Sequence, residues 1–161
     1  TADHETGGIA LGTGKYALNL KALENQKASA EVLSKKISDL RKAKNNHVAW
    51  EDIKNLLSEE MGFWSVLPIT WEQEKKLRNE YEKSFVRNKV EFAESMYAKT
   101  EPMAAKAKEV MDQIAMVGWT SGGHSAGYVP VFAIGAGSDL FIGKMDNTEI
   151  PKRIAKAGGY K

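Results

Sequence analysis

The sequence has no cysteine, three histidines and four prolines in 161 residues. Without cysteine there is no disulfide, no zinc–thiolate site and no thiol nucleophile. No apolar run approaches the ~18 residues that a membrane-spanning helix needs. Basic and acidic residues nearly balance, 23 against 21, and are interleaved along the chain. A basic stripe that could track phosphates along a nucleic acid is therefore missing. What is present is an ordinary globular composition, 42% apolar and 27% charged, with length for one core.

Composition changes along the chain. Residues 1–24 are glycine-rich, and GIALG and KYALNL alternate in a way that predicts short strands around a glycine turn. Residues 25–117 are rich in Lys and Glu, with apolar side chains at helical spacing. Ser29 can cap a helix carrying Val32, Leu33, Ile37 and Leu40. After a turn at Asn45–Asn46, Trp50, Ile53, Leu56, Leu57 and Met61 mark a second helix closed by Gly62. Thr70 and Gln73 have capping-box spacing. They open a third helix through Leu77, Tyr81 and Phe85, with Val90, Phe92 and Met96 as an extension. Thr100-Glu101-Pro102 opens a fourth, buried along Met103, Ala107, Val110, Met111 and Ile114. These stripes read as core faces, with a methionine-rich partner groove as the alternative.

Residues 118–161 return to glycine, aromatic and β-branched residues. YVPVFAI (128–134) predicts a strand, with Pro130 placing it near an edge. Leu140-Phe141-Ile142 predicts a second one. Thr148 can cap a last helix that stops at Gly158-Gly159. The GAG at 135–137 imitates a dinucleotide-binding turn, but Leu140 stands where its third glycine should be.

Chemistry concentrates at the histidines. His47 lies in a polar turn, KNNHVAW, and reads as solvent-facing. Asp3-His4 is a carboxylate–imidazole pair suited to Zn²⁺ if the following glycines let the backbone turn, or else a chance dipeptide. His124 sits among Gly122, Gly123 and Gly127 just before the strand pattern. That is a placement frequent in active sites, and also one in which a loop histidine merely bonds its neighbours.

Together, TADHETGG at residues 1–8 and GGHS ahead of VPVFAIG resemble the alkaline phosphatase family, as does the closing segment GKMDNTEIPKRIAKAGGY. The resemblance covers residues 1 to about 12 and 116–161. It implies hydrolysis of phosphate monoesters by two zinc ions, with magnesium as a further candidate, through a phosphoenzyme formed on a serine or threonine. It assigns Asp3 and His4 to the metal beside the nucleophile and His124 to the other. The nucleophile, the other ligands and the phosphate-binding arginine have no counterpart here. The expectation is thus the C-terminal portion of such an enzyme, inactive alone, with its missing N-terminal portion as partner. The resemblance further implies an α/β sheet-and-helix sandwich, a homodimer, and a periplasmic or secreted location. On this reading 1–24 is a metal-ligand loop with short strands, 25–117 a helical insertion, and 118–161 a second histidine loop, an edge strand and a terminal helix, together one partial domain. Exposed apolar surface follows where the rest would dock. The competing reading is a helical protein-interaction module without a metal site, in which His4 and His124 need not meet.

Overall fold

Ser29 and Thr70 show how directly the helical block follows its sequence. The Ser29 hydroxyl accepts from the Val32 N–H at 3.2 Å and opens α1, Ala30–Ala43. Thr70 and Gln73 exchange the two bonds of a capping box, at 3.3 and 2.9 Å, and open α3, Trp71–Tyr81. Between them, α2 spans Trp50–Met61 and ends on a left-handed Gly62. The computed structural model describes residues 1–14, 16–94 and 99–160. They form two compact units, Ile9–Thr120 and Thr1–Gly8 with Ser121–Lys161.

In the larger unit the core is helical. The fourth helix, α4 (Pro102–Ala115), packs against α1 and α3 through Met103, Ala107, Val110 and Met111, all fully buried. Leu33, Ile37, Ile53, Leu57 and Leu77 complete it, each contributing roughly 1.5–3 kcal/mol by leaving water. At the edge of this core is a buried ion pair. Glu101, 3% exposed, accepts from the Met103 and Ala104 N–H groups at 2.7 and 3.2 Å and so caps α4. Its other oxygen accepts from Arg41 of α1 at 2.8 Å. The same guanidinium donates to the Ser84 carbonyl and lies 3.6 Å over the Phe85 ring.

Ladders at its margin are short. Strand β2 (Ile9–Leu11) pairs antiparallel with Val117–Trp119, and Ala93–Glu94 pairs with Lys99–Thr100. KYALNL, of which Lys15 lies outside the described residues, is not a strand. Asn19 instead uses its backbone and side-chain N–H groups on the Ala115 and Ile114 carbonyls, closing the end of α4, and a 3₁₀ turn (Leu20–Asn25) follows. Nor does the third helix extend through Val90 and Phe92. It widens into a π turn at Glu82–Val86 that leaves the Ser84 carbonyl for Arg41, and a left-handed Asn88 ends it. Met96 lies outside the described residues.

In the smaller unit β1 (Glu5–Thr6) pairs antiparallel with His124–Ser125. YVPVFAI forms no strand. Strands are made by pairing, and no described residue pairs with this segment; Phe132 stays 84% exposed. Leu140-Phe141 lies in a 3₁₀ turn (Ser138–Phe141), whose Leu140 carbonyl accepts from Arg153 of the last helix, α5 (Glu149–Ala157). Thr148 precedes α5 but does not cap it; its hydroxyl donates to Asp146. No helix among the described residues is long and apolar enough to cross a membrane.

Two expectations follow for the helical unit, which contains all four tryptophans and so reports by their fluorescence. Glu101→Ala strands the Arg41 charge and uncaps α4, and should cost about 3–5 kcal/mol in urea unfolding; a change below about 1 kcal/mol contradicts this. The Ala49 N–H, and then Lys44, hold Asp52 below the usual carboxyl range, and Arg78 does the same for Glu74 against the opposing effect of burial. A depressed carboxyl contributes stability above its unfolded pKa and loses it as pH falls through the folded one. The urea midpoint should therefore drop below about pH 4, and Asp52→Asn should lessen that drop. Stability rising on acidification would contradict the sign.

Candidate metal-ligand site

The short β1 ladder sets the geometry of the candidate residues. Its register puts Thr6 opposite His124 and Glu5 opposite Ser125. His4 lies one residue before the strand, and its ring meets the His124 ring at 3.6 Å between centroids, tilted by 30°. Two of the three histidines, far apart in sequence, are thus in contact. His47 belongs to the helical unit, where it is exposed and its Nδ1 bonds the Asn45 carbonyl of its own turn at 2.9 Å.

His4 is oriented from both sides. Its Nδ1 lies 3.1 Å from the Glu5 carbonyl and 3.4 Å from the Thr6 hydroxyl. A carbonyl only accepts, so Nδ1 donates in that bond and Nε2 is the nitrogen left for another partner. Nε2 faces Asp3 Oδ2 at 3.3 Å, while Asp3 Oδ1 accepts from the His4 N–H at 3.1 Å. Two electron-pair donors directed at one space are satisfied by a cation shared between them, a proton or a metal. A backbone carbonyl fixing the tautomer is also the usual outer support of a ligating imidazole.

The donors fit a divalent metal in kind, since carboxylate and imidazole are zinc ligands. They fall short in number: among the described residues no group of three or more such side chains is arranged to hold an ion. Asp3 and His4 form one pair of donors, and the His124 ring lies tilted against that of His4.

Glu5 joins the site through a role that its position beside His4 does not announce. One of its oxygens accepts from the Gly8 N–H at 2.7 Å, and the other accepts from the Ser125 hydroxyl across the ladder. Ser125 holds its carboxyl below the usual range, helped by Gly8 and opposed by burial. Gly7 and Gly8 have φ of +81° and +58°, a left-handed pair that returns the Gly8 N–H to Glu5. Half of this role has a local sequence signal: a carboxylate three residues before the second glycine of ETGG can close a side-chain-to-backbone turn.

Comparison with known proteins places the chain. The family model described as alkaline phosphatase matches residues 1–160. Alkaline phosphatase 3 of Bacillus subtilis (strain 168) is 30% identical over 171 residues, covering 99% of this chain and 29% of that protein. Alkaline phosphatase 4 of the same organism is 26% identical, covering 97% and 28%. The chain thus spans under a third of the length of these curated relatives. The crystal structure of a cold-active alkaline phosphatase from a psychrophilic Shewanella sp. superposes with a TM-score of 0.62. It covers 96% of this chain and 32% of that one at 24% identity, a likeness of fold.

The tautomer is directly measurable. In ¹⁵N-resolved NMR of the metal-free chain at alkaline pH, His4 should carry its proton on Nδ1. A proton on Nε2 would mean that the Glu5 carbonyl does not orient the ring.

Proposed function

The chain belongs to the alkaline phosphatase family, and on that premise we propose that it is a portion of a zinc-dependent phosphomonoesterase. To that enzyme it contributes Asp3, His4 and His124 as metal ligands. The 3.6 Å approach of the two imidazoles is the observation that carries this reading. The interaction-module alternative leaves that contact without a purpose.

Asp3 and His4 would hold the ion beside the nucleophile, and His124 the second ion. Bound there, a zinc pair supplies Lewis-acid stabilisation of the attacking and leaving oxygens of an in-line displacement at phosphorus. This chain's share of the work is orientation. The Glu5 carbonyl directs His4 Nε2 toward the space that Asp3 Oδ2 also faces. The β1 ladder brings His124 alongside. The serine or threonine nucleophile, the further ligands and the phosphate-binding arginine would come from residues outside these 161, and magnesium would occupy a third site built there.

The exposed apolar side chains of residues 128–134 support a place for that segment in a larger sheet-and-helix sandwich, and residues 25–117 would be a helical insertion in it. A homodimer in the periplasm or outside the cell is the assembly and location in keeping with the family.

Calorimetric titration of the 161-residue chain with Zn²⁺ tests the ligand assignment. His4→Ala and His124→Ala should each weaken binding by more than about tenfold, a scale that even outer-shell partners reach. Unchanged affinity in both variants contradicts it. The same chain should not turn over p-nitrophenyl phosphate with zinc and magnesium added. Metal-dependent turnover abolished by His124→Ala would overturn the reading of the chain as one portion of a larger active site.

A further inference from the structure

The Glu5 side chain is bonded to both histidine-bearing loops. Through Oε1 it accepts from the Gly8 N–H and closes the turn that follows His4. Through Oε2 it accepts a hydrogen bond from the hydroxyl of Ser125, the residue next to His124. The Ser125 hydroxyl has a second partner, because it accepts from the Gly127 N–H at 3.2 Å. That bond leaves its own proton directed to Glu5.

An independent feature marks the same contact. A Cβ at position 127 would come within 3.1 Å of Glu5 Cγ and 3.2 Å of the Ser125 hydroxyl, tighter than side chains ordinarily pack. Gly127 therefore leaves room for the Glu5 side chain and the Ser125 hydroxyl where they meet. The backbone link between the two loops is short, the two-residue ladder plus the Ser121 N–H donating to the Gly7 carbonyl at 3.1 Å, and the carboxylate adds a side-chain restraint to it.

We propose that Glu5 is a positioning residue whose carboxylate, shared between Gly8 and Ser125, clasps the two loops and holds the His4 and His124 rings together. It touches neither metal nor substrate and acts only through the imidazoles. Its importance for zinc binding rests on the ligand assignment above, whereas the ring contact itself does not.

The test compares Glu5→Ala, Ser125→Ala and Ser125→Thr, the last keeping the hydroxyl, with the parent chain. Ring-to-ring NOEs between His4 and His124 are measured without metal, Zn²⁺ affinity by calorimetry, and folding by far-UV circular dichroism. Both alanine variants should lose the NOEs and bind zinc about 10–100-fold more weakly, the range for outer-shell partners. Ser125→Thr should restore both. Ser125 is exposed, so its alanine variant guards against mere unfolding. NOEs that persist in both alanine variants overturn the clasp. Zinc affinity unchanged in both, while His4→Ala still weakens it, overturns the proposal and leaves the ligands standing. NOEs lost with the clasp, but zinc indifferent to either histidine, support the clasp and remove the metal reading instead.

Discussion

The candidate site depends on the register of a two-residue ladder. With Thr6 opposite His124, the residue before β1 and the first residue of its partner strand stand side by side, and their rings are in contact. A slip of one residue would turn every side chain of so short a strand to the other face. The Ser121 N–H, donating to the Gly7 carbonyl at 3.1 Å, adds one more backbone link to the two pairs. The Glu5 carboxylate, bonded by a donor from each loop, adds a side-chain restraint to the observed register. The glycines follow from it: Gly7 and Gly8 bring a backbone donor back, and Gly127 leaves room.

The helical unit is held by different means. Its apolar faces are amphipathic stripes closing on α4, and burial supplies most of the stabilisation. The pair of Arg41 and Glu101 adds direction rather than strength, since buried ion pairs roughly break even against apolar replacements. Glu101 caps one helix while Arg41 reaches from another and lies over the Phe85 ring. The π turn after α3 exposes a carbonyl to the same guanidinium, so an irregularity in the helix completes the charge's partners.

How much of this is legible in the sequence varies with the range of the forces. Caps and stripes act within a few residues, so the starts of α1 and α3, the Asn45–Asn46 turn and the Gly62 stop can be read directly. The end of α3 cannot, because Arg41 takes the Ser84 carbonyl from more than 40 residues away. Strand-like composition is a poor guide wherever the pairing partner decides the outcome. Residues 128–134 have that composition and no ladder, and Asn19 is claimed by the end of α4. Motifs reveal the histidines, but their contact requires the ladder. Glu5 stands inside the same TADHETGG motif, yet its clasp is invisible there, since it depends on Ser125 near the other end of the chain.

The central claim is that Asp3, His4 and His124 share a metal centre, with His4 presenting Nε2. Zinc-edge anomalous scattering from crystals of the protein grown with zinc tests it most directly. The account requires ions about 2.0–2.2 Å from an Asp3 oxygen, from His4 Nε2 and from a His124 ring nitrogen. Ions ligated elsewhere, with these three side chains unengaged, or an ion on His4 Nδ1, would contradict it.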